Sequence, residues 1–250
     1  MRVAVAQFAT SFDTAENLTT CLRMIDEVAA CNPGIVVLPE FCNTQPCYSD
    51  HNQVWQQALA IESDFLHQIA QQAKKYACYI VLNVTLRRDL NRDQQDASVQ
   101  SNISITSCLF SPSGELVQQV DKQKLTEQER QFFISEKQAA SVISSDFGKF
   151  GLMSGADSYT FQASRALAIN GAQLICNSEH SFALDTSTLH DITHAVENNV
   201  FIASANKVGA LRPKKSADAL AETTETLLSI SNTSVTEQAY GVGQSQIIAP

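Results

Sequence analysis

Short apolar runs of strand length alternate along this chain with longer stretches of helical periodicity. That alternation limits the fold more than any other feature. "RVAVAQF" at 2–8 reads as a strand, and residues 14–31 then place Leu18, Leu22, Ile25, Val28 and Ala29 at helical spacing before "NPG" at 32–34 ends the helix. "IVVLPEF" at 35–41 is a short apolar strand interrupted by a proline. A helix is expected through about 55–76 and a strand at 78–86, "CYIVLNVTL". "NISITSCLFSPSGELVQQVDKQKL" reads as two strands joined by the turn "SPSG", an antiparallel hairpin. Beyond it come the strand "GKFGLMS", a helix over 158–169, the strand "AQLICN", a helix over 186–199 and the strand "VFIASANKVG". Alternating units of this kind, mixed with a hairpin, point to an α/β domain with helices on the outer faces.

No internal repeat or interdomain linker divides the chain, so residues 1–250 read as one domain. The Ser-, Thr-, Ala- and Glu-rich stretch 210–238 reads as a surface insertion. The chain stops within the strand-like "GQSQIIAP", which leads us to expect either a native chain that continues past Pro250 or a last strand lying at a sheet edge.

A net charge of −9 argues against a nucleic-acid partner, and the short basic run "RPKK" at 212–215 reads as a solvated loop. No apolar run approaches the ~20 residues that span a bilayer. The N-terminus lacks the apolar core of a signal peptide. Seven scattered cysteines then read as reduced thiols of a cytoplasmic protein.

Four stretches carry candidate chemistry. Glu40 closes "IVVLPE" and would project from a sheet rim, either as a solvated strand end or as a general base whose proton affinity is raised by apolar surroundings. "DKQKLTEQE" at 121–129 sets two lysines among acids. "GLMSGADSYTF" at 151–161 has the layout of a strand–turn–helix elbow, where free N–H groups at a helix start could hold an anion. "HDITH" at 190–194 imitates a zinc-binding pattern, but with Asp191 in place of the usual Glu and no third ligand; two ordinary helical histidines, His190 and His194, are the simpler reading.

In order along the chain, "VAVAQF", "GIVVLPEF", "FSPSGELVQQVDKQKL", the elbow, "HAVENNVFIASANKVG" and "GQSQIIAP" resemble the nitrilase superfamily of carbon–nitrogen hydrolases. The resemblance implies a four-layer αββα sandwich and a Glu–Lys–Cys triad that cleaves small amides or nitriles through a covalent intermediate. It places Glu40 on the general base, Lys122 on the lysine that stabilises the oxyanion, and Glu129 on a second glutamate. The loop is short there, which leaves Glu127 as an alternative. The family's nucleophile stands in "G-x-x-x-C-x-D" followed by "RAL". Gly151, Asp157 and Arg165–Leu167 set that register here, and it puts Gly155 where the cysteine would be. Tyr159 and Gln162 are further departures.

Glycine cannot form an acyl intermediate. Ser154 is one residue early, and Cys42 and Cys176 read as packing residues. Two functions therefore stand open: an amidase-related hydrolase with lost or altered catalysis, or a non-catalytic protein of the same fold that binds a small amide or carboxylate or a protein partner. The resemblance also implies a homo-oligomer, and no metal or organic cofactor.

Overall fold

The computed structural model describes residues 1–88, 102–135, 140–182, 186–210 and 240–250. The expected insertion beyond residue 210, with its basic run, lies outside the described residues. Two five-stranded sheets dominate. The first runs β1 (Val3–Val5), β2 (Ile35–Val37), β3 (Tyr79–Arg87), β4 (Ile103–Phe110), β5 (Leu116–Asp121) in spatial order. Its first three strands are parallel, and β3–β4–β5 form antiparallel hairpins. The second sheet is built from β6 (Val142–Ser145), β7 (Gly148–Ser154), β8 (Leu174–Ser178), β9 (Phe201–Ala205) and β12 (Gln246–Ile248), in the order β12-β9-β8-β7-β6. β10 (Val208–Ala210) and β11 (Tyr240–Val242) make a separate two-stranded ribbon. The terminal "QII" is thus an edge strand, antiparallel to β9.

Side-chain parity explains the four layers. A strand sends alternate residues to opposite faces. In β2, Ile35 and Val37 face the second sheet, where they meet Phe150, Leu152, Leu174, Cys176, Ala203 and Ala205. Val36 and Leu38 face the other way, onto α1 (Thr14–Ala29) and α3 (Asp64–Tyr76) through Cys21, Ile25, Phe65 and Ile69. The second sheet repeats the arrangement: Met153, Ile175 and Ile202 pack outward against Leu167 of α4 (Phe161–Ile169) and Ala195 of α5 (Thr186–Asn198). Strands covered on both faces have no use for polar alternation, hence their unbroken apolar runs. Each large side chain so buried contributes about 1.5–3 kcal/mol relative to exposure. The result is an αββα sandwich.

Two expectations about helices need correction. The helix expected over 55–76 is two helices, because Asp50 caps the N–H of Gln53 and starts α2 (His51–Gln57) early. The backbone then leaves the helix to pair Leu59 with β3, its N–H donating to Thr85 O at 2.9 Å and its carbonyl accepting from Arg87 at 2.8 Å. The helix expected over 158–169 starts only at Phe161. A 3-10 turn, Gly155–Tyr159, comes first, and Ser158 Oγ lies 2.8 Å from Gly155 O, a local bond that competes with the α-helical ladder.

Candidate active site

Glu40 stands where the chain leaves β2. Its N–H donates to Glu179 O in the second sheet (3.2 Å). The next residue, Phe41, has φ +55°, an unusual conformation for a bulky residue that costs about 1–2 kcal/mol. The surroundings enforce it. Phe41 N–H donates to Asn83 Oδ1 (3.0 Å) and Cys42 N–H to Asn83 O (2.7 Å), while the Phe41 ring packs on Phe133.

Lys122 follows β5 directly, and its N–H donates to Ile105 O at 2.8 Å. Its ammonium is buried and donates to Glu40 Oε1 (2.8 Å) and Glu129 Oε1 (2.6 Å). Thr126 and Glu129 bond reciprocally: Thr126 N–H donates to Glu129 Oε2 (2.8 Å), and Glu129 N–H to Thr126 Oγ1 (3.3 Å). This turn aims Glu129 at Lys122, whereas Glu127 is exposed. The structure therefore brings Glu40, Lys122 and Glu129 into one corner.

Gly155 closes that corner. Its φ is +49°, and a Cβ built on it would lie 2.5 Å from Glu40 Oε1, 2.6 Å from Lys122 Nζ and 2.7 Å from Glu40 Oε2. The backbone of this turn thus faces the charged pair at contact distance. Asp157 clamps the elbow to the Lys122 loop, accepting from the N–H groups of Gln123 (3.1 Å) and Lys124 (2.6 Å). His194 Nε2 donates to Ser158 O at 2.8 Å from behind. The 3-10 turn Gly155–Tyr159 stands between the elbow and the start of α4, where the helix was expected to begin.

Burial pushes the Glu40 carboxyl up to about 7 even though Lys122 beside it favours the charged form. For Lys122, burial favours the neutral amine, but Glu40 and Glu129 outweigh it and hold the ammonium above its ordinary range. Burial also raises Asp157 and Tyr159. It lowers His180, as do Lys207 and Lys122, so that imidazole is neutral at pH 7. The corner thus offers an acid–base group poised near neutrality beside a permanent cation.

Other expectations fall elsewhere. The histidines of "HDITH" stack at 6.1 Å, His194 is engaged by Ser158 and Glu197, and Asp191 accepts from Asn177 and Gln246. Among the described residues no cluster of three or more potential metal ligands occurs. Cys42 and Cys176 are packed in cores, and Ser154 ends β7 with no hydrogen bond to Glu40 or Lys122 among the described residues. Gln162 lines a cavity of about 600 Å³ between α4 and the Lys124–Arg130 turn.

Sequence reading missed Asn83, His180 and Lys207. A signal existed for each. Asn83 interrupts an apolar strand, while His180 and Lys207 follow β8 and β9 as Glu40 follows β2.

Fold and corner together define an αββα sandwich of the nitrilase type. The chain belongs to the carbon–nitrogen hydrolase family, whose sequence model matches residues 2–250. In structure it is similar to an amidase from Nesterenkonia sp. AN1, with a TM-score of 0.70 and 21% identity over 84% of this chain and 79% of that one. A cysteine-to-alanine variant of that amidase in complex with butyramide superposes with a TM-score of 0.68 and 20% identity, over 84% and 77%. A glutamate-to-glutamine variant, carrying the Michael adduct of acrylamide at its active-site cysteine, gives 0.68 and 19%, over 84% and 80%. No match was found among curated protein sequences.

Proposed function

We propose that this chain is an amidase-related carbon–nitrogen hydrolase homologue in which amide hydrolysis is lost or altered, and whose corner of Glu40, Lys122 and Glu129 binds a small amide or carboxylate. One observation carries the reading. The backbone point that faces both Glu40 and Lys122 belongs to Gly155, which offers no atom able to form an acyl intermediate. The similar amidase is described with acrylamide joined to an active-site cysteine, so the missing thiol is the difference that matters. A protein that binds without turnover is the form of the proposal in which nothing replaces the thiol. A residual hydrolase would use Glu40, poised near pH 7, to activate water.

The test is ammonia release from a panel of small amides and nitriles. We expect none from the wild type. Gly155→Cys is expected to introduce release that a second change, Glu40→Gln, abolishes. The clash a Cβ creates falls on the tips of two flexible side chains, which can turn aside. Glu40-dependent release from the wild type would overturn the lost-catalysis reading.

The proposal extends to self-association. Leu189, Ile192 and Val196 are exposed apolar residues at helical spacing on α5, and Phe161 is exposed on α4, in keeping with a homo-oligomer. A cytoplasmic location is in keeping with seven free cysteines, six of them buried. Among the described residues no helix is long and apolar enough to cross a membrane.

A further inference from the structure

A second buried ammonium lies beside the corner, within a stretch that carries the family resemblance but with no role assigned to it there. Lys207 sits between β9 and β10, and its Nζ donates to Thr10 Oγ1 (2.7 Å), Phe41 O (2.8 Å) and Thr44 O (3.2 Å). All three acceptors are neutral. Among the described residues Lys207 forms no salt bridge, in contrast to Lys122 with its two carboxylates. Its own backbone is held firmly: Lys207 N–H donates to Asn206 Oδ1 (2.9 Å), and its carbonyl accepts from Gly243 N–H (2.8 Å).

The placement of those acceptors is telling. Phe41 is the residue after Glu40 and the one in the left-handed region, and its two peptide groups are tied from different elements. Asn83 of β3 takes its N–H, and Lys207 takes its carbonyl. The ammonium groups of Lys122 and Lys207 lie 5.9 and 5.7 Å from the Phe41 ring centre. An ammonium supplies three donors at one point, which is what gathering Thr10, Phe41 and Thr44 requires.

We propose that Lys207 is a positioning residue of this site: it fastens the strained loop that presents Glu40 and supplies the unshared positive charge beside which that carboxylate ionises. The inference takes from the proposed function only that Glu40 is the group that meets a ligand. It holds for a binding site as for a hydrolytic one.

The other groups around Glu40 are Lys122, Glu129 and Asp157, Tyr159 of the elbow turn, and Glu179 and His180 after β8. Cys42 on the same loop and Cys21 of α1 face Lys207. Burial lowers Lys207 to about 8, partly offset by Cys42, Glu40 and Cys21. Lys122, Tyr159 and Cys21 are pushed up and His180 down, so none of these four changes charge near pH 8.

The experiment is a carboxyl carbon NMR titration of Glu40 in the full chain, with glutamate labelled at the side-chain carboxyl and the signal assigned by its loss in Glu40→Gln. The wild type should show two inflections, one from Glu40 itself and one near pH 8 from Lys207. Lys207→Met should remove the second inflection and raise the first midpoint, by less than loss of the bonded Lys122 would. Cys42→Ala should keep both inflections, the second no higher than in the wild type, because Cys42 is one of the groups that hold Lys207 up. A single inflection in the wild type, or an unmoved midpoint in folded Lys207→Met, would overturn the proposal. The first outcome needs no variant to fold. Neither depends on ammonia release, so failure here is distinguishable from failure of the functional reading.

Discussion

The two sheet rims that meet at the site differ in kind. The rim of the first sheet supplies charge: Glu40 after β2, then Lys122 and Glu129 after β5, bonded to one another. The rim of the second sheet supplies the Gly155 backbone, Ser158 between Gly155 O and Glu179 Oε1, and the Lys207 ammonium held on neutral acceptors. The charged corner satisfies itself internally, so its persistence does not require a reaction. The elbow has no such internal reason to keep a reactive side chain. On the proposed reading, a site assembled from two sheets would have lost its reactive atom on one side and retained its electrostatics on the other.

Lys122→Met would strain this comparison most. It leaves Glu40 and Glu129 buried without their cation, and should destabilise the fold by about 3–5 kcal/mol. Urea unfolding measures the loss. A change below about 1 kcal/mol would mean that the corner is solvated and not self-contained. Gly155→Ala comes next. It combines a left-handed alanine with displacement of the Glu40–Lys122 pair, for about 2–4 kcal/mol by the same assay. A near-neutral result would show that the elbow has spare room facing the charges.

A third effect is in pH dependence, and its sign follows from which state holds the proton. Glu40 keeps its proton in the folded chain up to about pH 7, whereas the unfolded chain releases it near 4.5. The folded state binds more protons across that window, so this group's contribution to stability falls as pH rises from about 4.5 to 7. Lys207 works in the opposite sense at higher pH. The folded chain gives up its proton near 8 and the unfolded chain near 10.5, so stability rises between them. Urea midpoints at pH 5, 7.5 and 9.5 should be lowest at the middle value. Glu40→Gln should flatten the acid limb, and Lys207→Met should flatten the alkaline limb and carry the acid limb to higher pH. Limbs unchanged in the variants would detach both groups from the effect.

Much of the architecture was legible in the residues, for identifiable reasons. Strands buried on both faces must be apolar throughout, so "IVVLPEF" and "AQLICN" announced β2 and β8. Asp13 caps α1 within its own first turn, accepting from the N–H groups of Ala15 and Glu16, and such local bonds leave local traces in sequence. The hairpin of β4 and β5 was equally local. The break between α2 and α3 was not, because Leu59 is drawn out of the helix by pairing with β3, whose Leu86 lies far along the chain. The pairing of β6 with β7 was missed as well, since "VISS" is too short and polar to stand out from its surroundings.

The site divides along the same line. By itself the sequence determined which residues end apolar strands and therefore reach the rim, including Glu40, and its ordered motifs pointed to Lys122 and to Glu129 or Glu127 as belonging with it and to Gly155 at the elbow. Only the tertiary structure decided how they meet. It chose Glu129 over Glu127 through the turn at Thr126, put a 3-10 turn where a helix start was expected, and brought Lys207 from beyond β9 onto the carbonyl of Phe41. The first two turn on contacts three residues apart, which select one of several local conformations the residues allow. The third depends on the distance between segments remote in the chain and on charges removed from water together, which no local window encodes.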